Sequence, residues 1–220
     1  MKLSKIILLL FICSGCTTFP KSSSIPISLI TLNQNIQQAI VVKAKPAKNS
    51  QAIVTAWQKE NHQWHQIFSS MPAVIGRNGL AAAGQKREGD GKTPSGVYAL
   101  QRAFGYEPTS ETKLNYQQVT DKDLWVDDVQ SPQYNQWIKA PTSAKSFERL
   151  KRDDNLYQYA IVMEYNTDPI VPGNGSAIFM HIWRNESKPT AGCVALSEGN
   201  LRKLFTWLDR KLSPVVVLYK

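Results

Sequence analysis

Short apolar runs broken by polar clusters recur along this chain, a pattern of strands more than of helices. Gln38–Lys45, Ala52–Gln58 and Trp64–Ile67 carry β-branched and aromatic residues between polar breaks, and Val97–Gln101 follows suit. Tyr159–Tyr165 (YAIVMEY) and Ser176–Trp183 (SAIFMHIW) are the most apolar runs. The second is apolar on both faces, which predicts a strand inside a packed sheet. One segment has helical period: Leu201, Leu204, Phe205, Leu208 and Leu212 fall on a single stripe. Ser197 is its candidate N-cap, Glu198 suits the first turn, Arg210 and Lys211 the last, and Pro214 stops it. Val215–Tyr219 then reads as a closing strand. The expectation is a mainly β fold, a sandwich or barrel, with one C-terminal amphipathic helix packed on it.

Two stretches depart from this rhythm. Glu88-Gly89-Asp90-Gly91-Lys92-Thr93-Pro94-Ser95-Gly96 is dense turn chemistry and reads as a structural hairpin. Tyr106 to Arg152, polar and aromatic with Pro108, Pro132 and Pro141, reads as irregular excursions of the same domain.

The first residues follow another logic. Lys2 and Lys5 precede the apolar run Ile6 to Ile12, and Ser14 and Gly15 precede Cys16. This is the layout of a secretory signal over residues 1–15, with an apolar run too short to span a bilayer. The cysteine after Ser-Gly resembles a bacterial lipobox, although Cys13 stands where Leu is usual. Lipidation at Cys16 would anchor the chain to a membrane, and Thr17 in place of Asp implies the outer membrane. Ordinary cleavage and free secretion into the periplasm is the alternative. The Ser-, Thr- and Pro-rich residues after Cys16 read as a tether, so 16–36 is the anchor and 37–220 the folded domain.

Composition narrows the chemistry. With 42% hydrophobic and 20% charged residues, this is neither a disordered chain nor a membrane bundle. The net charge is +9, and +7 remains once Lys2 and Lys5 leave with the leader, which favours anionic partners or simply solubility. No basic cluster interleaved with aromatics argues for nucleic acid. The three cysteines are Cys13, Cys16 and Cys193, so Cys193 is the one thiol expected in the mature domain. Exported proteins pair or avoid cysteines, so a lone one suggests use. No ligand set for a metal can be assembled, and no cofactor is expected.

Cys193 closes the turn Thr190-Ala191-Gly192, and His181 lies on the preceding strand. A thiol attacks as thiolate, and a neighbouring imidazole can take its proton and later deliver it to a leaving amine. Gly192 leaves the backbone beside the sulfur bare, so successive N–H groups of Ala191, Gly192 and Cys193 could face an oxyanion. His62 and His65, in a Trp/Gln-rich stretch, read as surface or packing residues.

Gly175-Ser176-Ala177-Ile178-Phe179-Met180-His181 followed by Thr190-Ala191-Gly192-Cys193-Val194-Ala195-Leu196 resembles the L,D-transpeptidase catalytic domain, the YkuD family. The Glu88–Gly96 stretch, Arg77-Asn78-Gly79, Trp125-Val126-Asp127-Asp128, Tyr134-Asn135 and Tyr165-Asn166 extend the resemblance from about residue 37 to the end. It implies a β-sandwich with a covering helix. Cys193 would be the nucleophile and His181 the base, oriented by the Ile182 carbonyl. Oxyanion amides would come from Ala191, Gly192 and Cys193. The implied substrate is the peptidoglycan stem peptide, attacked at the L-centre carbonyl before the terminal D-Ala. Thr190, Arg77 and Lys92 are the candidate substrate contacts. Ala191 stands where the motif has histidine and Ala195 where arginine is common, so the chain looks like a variant subgroup. A hydrolase on the same scaffold and a non-catalytic wall-binding lipoprotein are the rival readings.

Overall fold

The structure is a computed structural model that describes residues 33–46 and 50–220, so the expected leader, Cys16 and most of the tether lie outside the described residues. The chain opens with β1 (Gln38–Ala44), β2 (Gln51–Glu60), β3 (Gln63–Gln66) and β4 (Met71–Val74). Next come β5 (Leu80–Ala81), β6 (Thr93–Pro94), β7 (Gly96–Ala99), β8 (Arg102–Gly105) and β9 (Asn115–Gln118). The middle holds β10 (Asp123–Val126), β11 (Trp137–Lys139) and β12 (Phe147–Arg149). The last part holds β13 (Tyr159–Val162), β14 (Phe179–Ile182), β15 (Val194–Leu196), helix α1 (Glu198–Trp207) and β16 (Val215–Tyr219).

Eleven strands form one sheet in the order β7-β16-β1-β2-β4-β15-β14-β13-β8-β9, with β3 paired to β2. The sheet curls on itself. Ile40 and Val42 of β1 and Val216 and Leu218 of β16 share one apolar cluster with Ile161 of β13 and Met180 of β14. Leu201, Leu204 and Phe205 of α1 complete that cluster. Burying each such side chain contributes roughly 1.5–3 kcal/mol over leaving it exposed. The mainly β architecture with one covering helix is therefore as the periodicity predicts.

β14 lies between β15 and β13, deep in the sheet, as its two apolar faces predict. Met180 points to the helix-covered core. Phe179 belongs to a second cluster, with Phe104, Trp125, Tyr157 and Cys193, on the opposite face.

Three expectations need correction. The middle segment is not irregular: β11, β10 and β12 form a three-stranded antiparallel sheet. Trp125 and Trp137 from it pack around Phe104 and Phe179, so it covers the second face. The Glu88–Gly96 stretch is not a hairpin, because β6 pairs in parallel with β5. The helix ends at Trp207, with Leu208 extended (φ −62°, ψ 132°). Asp209 stops it: its N–H donates to Gln38 Oε1, and its carboxylate accepts the Lys211 N–H to start a separate 3-10 turn over Arg210–Leu212. Arg210 and Lys211 thus sit in that turn, and Ser197 holds the N-cap position without a side-chain bond.

Candidate active site

Cys193 sits where a tight turn feeds β15, and the turn is tied down from several sides. The Thr190 N–H donates to Ile75 O (3.0 Å), and the Arg77 N–H donates to Thr190 O (2.9 Å). The Thr190 hydroxyl donates to Cys193 O at 2.7 Å and accepts the Gly192 N–H at 3.2 Å. Thr93, fully buried, adds a hydroxyl bond to Cys193 O at 3.3 Å while accepting the Gly76 N–H. A Cβ at Gly192 would lie 3.1 Å from both Ile178 Cδ1 and Lys92 O, so only glycine packs there without displacement. The amides of Ala191 and Cys193 carry no hydrogen bond within the described residues.

β14 and β15 run parallel with His181 opposite Ala195. Side chains alternate between faces, so Cys193, two residues before Ala195, shares the face of His181 and lies diagonally from it. Tyr157 closes the group, its ring edge-on to both His181 (5.0 Å) and Phe179 (5.7 Å). The Cys193 S–H donates to Ala177 O and its sulfur accepts the Phe179 N–H, each at 3.4 Å. His181 Nδ1 lies 2.8 Å from Ile182 O. A carbonyl only accepts, so Nδ1 carries the proton and Nε2 is left as the basic nitrogen. No bond joins the thiol to the imidazole in this resting arrangement.

Both side chains are 7% exposed. Burial pulls the imidazole down to about 4, partly offset by the Ile182 carbonyl. Burial also pushes the thiol up to about 12, aided by the Glu148 carboxylate. At neutral pH the pair is therefore thiol and neutral imidazole, not an ion pair.

The thiol opens onto a narrow cleft of about 80 Å³. Arg77, Lys86, Glu88, Asp127 and Glu148 line it. Glu148 accepts the Tyr157 hydroxyl at 2.5 Å, and burial raises its carboxyl above the usual range. Asp127 Oδ1 is the one buried side-chain N or O atom without a partner among the described residues. Wider hollows of about 390, 400 and 430 Å³ lie elsewhere and contain neither Cys193 nor His181, so size does not mark the chemistry here. The Lys92 side chain lines the last of these, with Lys45 and Lys220, while Arg77 faces the thiol cleft. Among the described residues no three His, Cys, Asp or Glu side chains converge to hold a metal.

The polar residues of the loops form the frame behind the cleft. Asn135 Oδ1 accepts from Trp125 Nε1 and from Ala177 N–H, and its Nδ2 donates to Tyr165 O and Asn166 O. Ala177 sits at φ 52°, a left-handed conformation held by that bond, and its carbonyl is the one that meets the thiol. Glu88 Oε2 accepts from Tyr134 and Ser176, and Tyr134 in turn accepts the Gly175 N–H. Of the loop residues that carry the resemblance, Tyr134 and Asn135 are buried struts. Lys86, Thr93, Glu148 and Tyr157 join the site only in the fold. None carries a local signal, because contacts such as Thr93 to Cys193 span 100 residues.

A curled sheet with a cysteine turn entering the strand beside a histidine strand is a recognisable class of fold and site. The chain belongs to the family of the L,D-transpeptidase catalytic domain (YkuD), whose sequence model matches residues 37–217. Similar solved structures include the helical cell shape determining protein Pgp2 of Campylobacter jejuni. It is 18% identical over 88% of this chain and 54% of that one, with a TM-score of 0.45. Bd1075 of Bdellovibrio bacteriovorus is 14% identical over 82% and 47%, with a TM-score of 0.40. The chain spans about half the length of these two structures. The search of curated proteins returned no match.

Proposed function

We propose that this domain performs acyl transfer on peptidoglycan stem peptides through a thioester on Cys193. The observation that carries this reading is the Nδ1 bond to Ile182, which leaves Nε2 of His181 as a base on the same sheet face as a lone thiol. In the reaction Cys193 gives up its bond to Ala177 O and passes its proton to Nε2 as sulfur bonds the carbonyl carbon before the terminal D-Ala. The carbonyl electrons move onto oxygen, which faces the free amides of Ala191 and Cys193. The Gly192 amide donates to the Thr190 hydroxyl at rest. Collapse breaks the C–N bond, and the His181 proton leaves with the D-Ala amine. An acceptor amine then yields a cross-link and water a shortened stem, with His181 again taking the proton. The imidazolium exists only while the tetrahedral centre is negative, which suits a site that keeps both groups neutral at rest.

Purified protein incubated with defined tetrapeptide muropeptides should give loss of the terminal residue or a new cross-link, read by mass spectrometry. Cleavage at another bond would assign an amidase or endopeptidase on this scaffold, and no product at all would favour a wall-binding role. The leader and Cys16 support placement in the periplasm on an outer-membrane lipid anchor. The mass of the mature N-terminus tests that placement.

A further inference from the structure

Lys86 is only 4% exposed and stands on the wall of the cleft that holds Cys193. An ammonium has three N–H donors. Two are taken, by Arg87 O at 2.6 Å and Asp90 Oδ1 at 2.8 Å. Asp90 is itself fastened by the N–H groups of Arg87 and Lys92, each at 2.8 Å. Burial would raise its carboxyl, but Lys86 and those amides together hold it below the usual carboxylate value. Asp90 therefore remains an anion that pins the lysine. The third N–H has no partner among the described residues.

The route of the stem is equally particular. Lys86 runs past Gly175 so closely that a Cβ there would lie 3.1 Å from its Cγ and Cε and 3.2 Å from Nζ. Its Cε lies 3.8 Å from where a Cβ of Gly192 would be. Bare backbone on both sides thus delivers a cation to the edge of the nucleophile turn. The turn itself, Thr190 to Leu196, contains no charged residue. The Lys86 charge also acts on Cys193, favouring the thiolate against burial. A lysine needed only to brace the 86–92 loop could do so from the surface, without the cost of burying an ammonium.

We propose that Lys86 is the charged donor of the oxyanion site, its third N–H meeting the oxygen that turns negative as Cys193 attacks. This rests on the acyl-transfer reading. The electron pair of the C=O moves onto that oxygen as the S–C bond forms and the thiol proton passes to His181. Lys86 hydrogen-bonds the oxyanion without losing a proton, and releases it when the C–N bond breaks. A fixed charge aimed at developing charge acts in the transition state more than in the ground state.

The test uses the full mature protein with Lys86→Met and Lys86→Gln, scoring variants whose melting curve matches the wild type; Gln keeps a donor for Asp90 if Met does not fold. Turnover of a tetrapeptide muropeptide is measured beside the pH profile of Cys193 alkylation by iodoacetamide. The expected result is a kcat lower by about 10²–10³-fold with KM little changed, and an alkylation profile moved to higher pH. A folded neutral variant that keeps wild-type kcat overturns the proposal, whether or not its alkylation profile moves. If the wild type turns over no muropeptide, the acyl-transfer reading itself fails. Loss confined to the Lys86 variants separates the two cases.

Discussion

At the scale of single residues, the site is governed by burial. Cys193 and His181 are both held neutral, and this ties activity and stability to pH in a defined way. The imidazole has an ordinary value of 6.5 and is pulled down to about 4 in the fold. Between these values the unfolded chain binds a proton that the folded chain refuses. Its contribution is therefore fully present above 6.5 and lost as pH falls toward 4, at about 1.4 kcal/mol per pH unit. The thiol runs the other way: an ordinary value of 9.0 is pushed up to about 12, so stability is lost as pH rises through that window. Urea unfolding of the wild type should show both flanks. Cys193→Ala should make the alkaline flank shallower, leaving the part that belongs to half-buried tyrosines such as Tyr98 and Tyr165, which burial also raises to about 12. An alkaline flank of unchanged steepness in that variant would contradict the buried thiol. Since kcat/KM reports the free enzyme, it should stay flat through neutral pH and fall only as pH approaches about 4.

At the scale of elements, the three-stranded sheet β11-β10-β12 is a working part and not decoration. It brings Glu148 and Asp127 to the cleft and covers the face on which Cys193 and His181 lie. Asn135 bonds to Trp125 of that sheet and ties it to Ala177 of the strand-entry segment and to the carbonyls of Tyr165 and Asn166. Asn135→Ala strands several buried partners, each worth about 1–3 kcal/mol when left unpaired. It also frees Ala177 from its left-handed conformation. Thermal unfolding should show a loss of at least that order, and turnover should fall in whatever fraction remains folded. Full activity with wild-type stability would mean the frame does not position the thiol. This part of the molecule was poorly legible in the chain. Pro132, Pro141 and many polar residues mask strands only three or four residues long, whose partners are fixed by pairing such as Trp125 with Glu148. α1 was legible from its stripe, but its end was not, because Gln38, far away in sequence, ends it through Asp209.

At the scale of the whole molecule, the fold class was readable because strand period and one helical stripe are local properties. The curl of the sheet was not, since it depends on β1 and β16 meeting β13 and β14 across one core. The same division holds for the site. Cys193, His181 and the Ile182 carbonyl lie within thirteen residues of one another and announce themselves by type and spacing. Lys86, Thr93 and Glu148 reach the thiol only through the folded sheet.

Acyl transfer through Cys193 requires a covalent thioester on its sulfur. Intact-protein mass spectrometry of the mature protein, quenched in acid during turnover of a tetrapeptide muropeptide, reads it directly. The expected result is a mass increase equal to the muropeptide minus D-Ala, located at Cys193 and absent from Cys193→Ala. Turnover that continues in Cys193→Ala, or product formed with no adduct at that cysteine under any quench time, would contradict it.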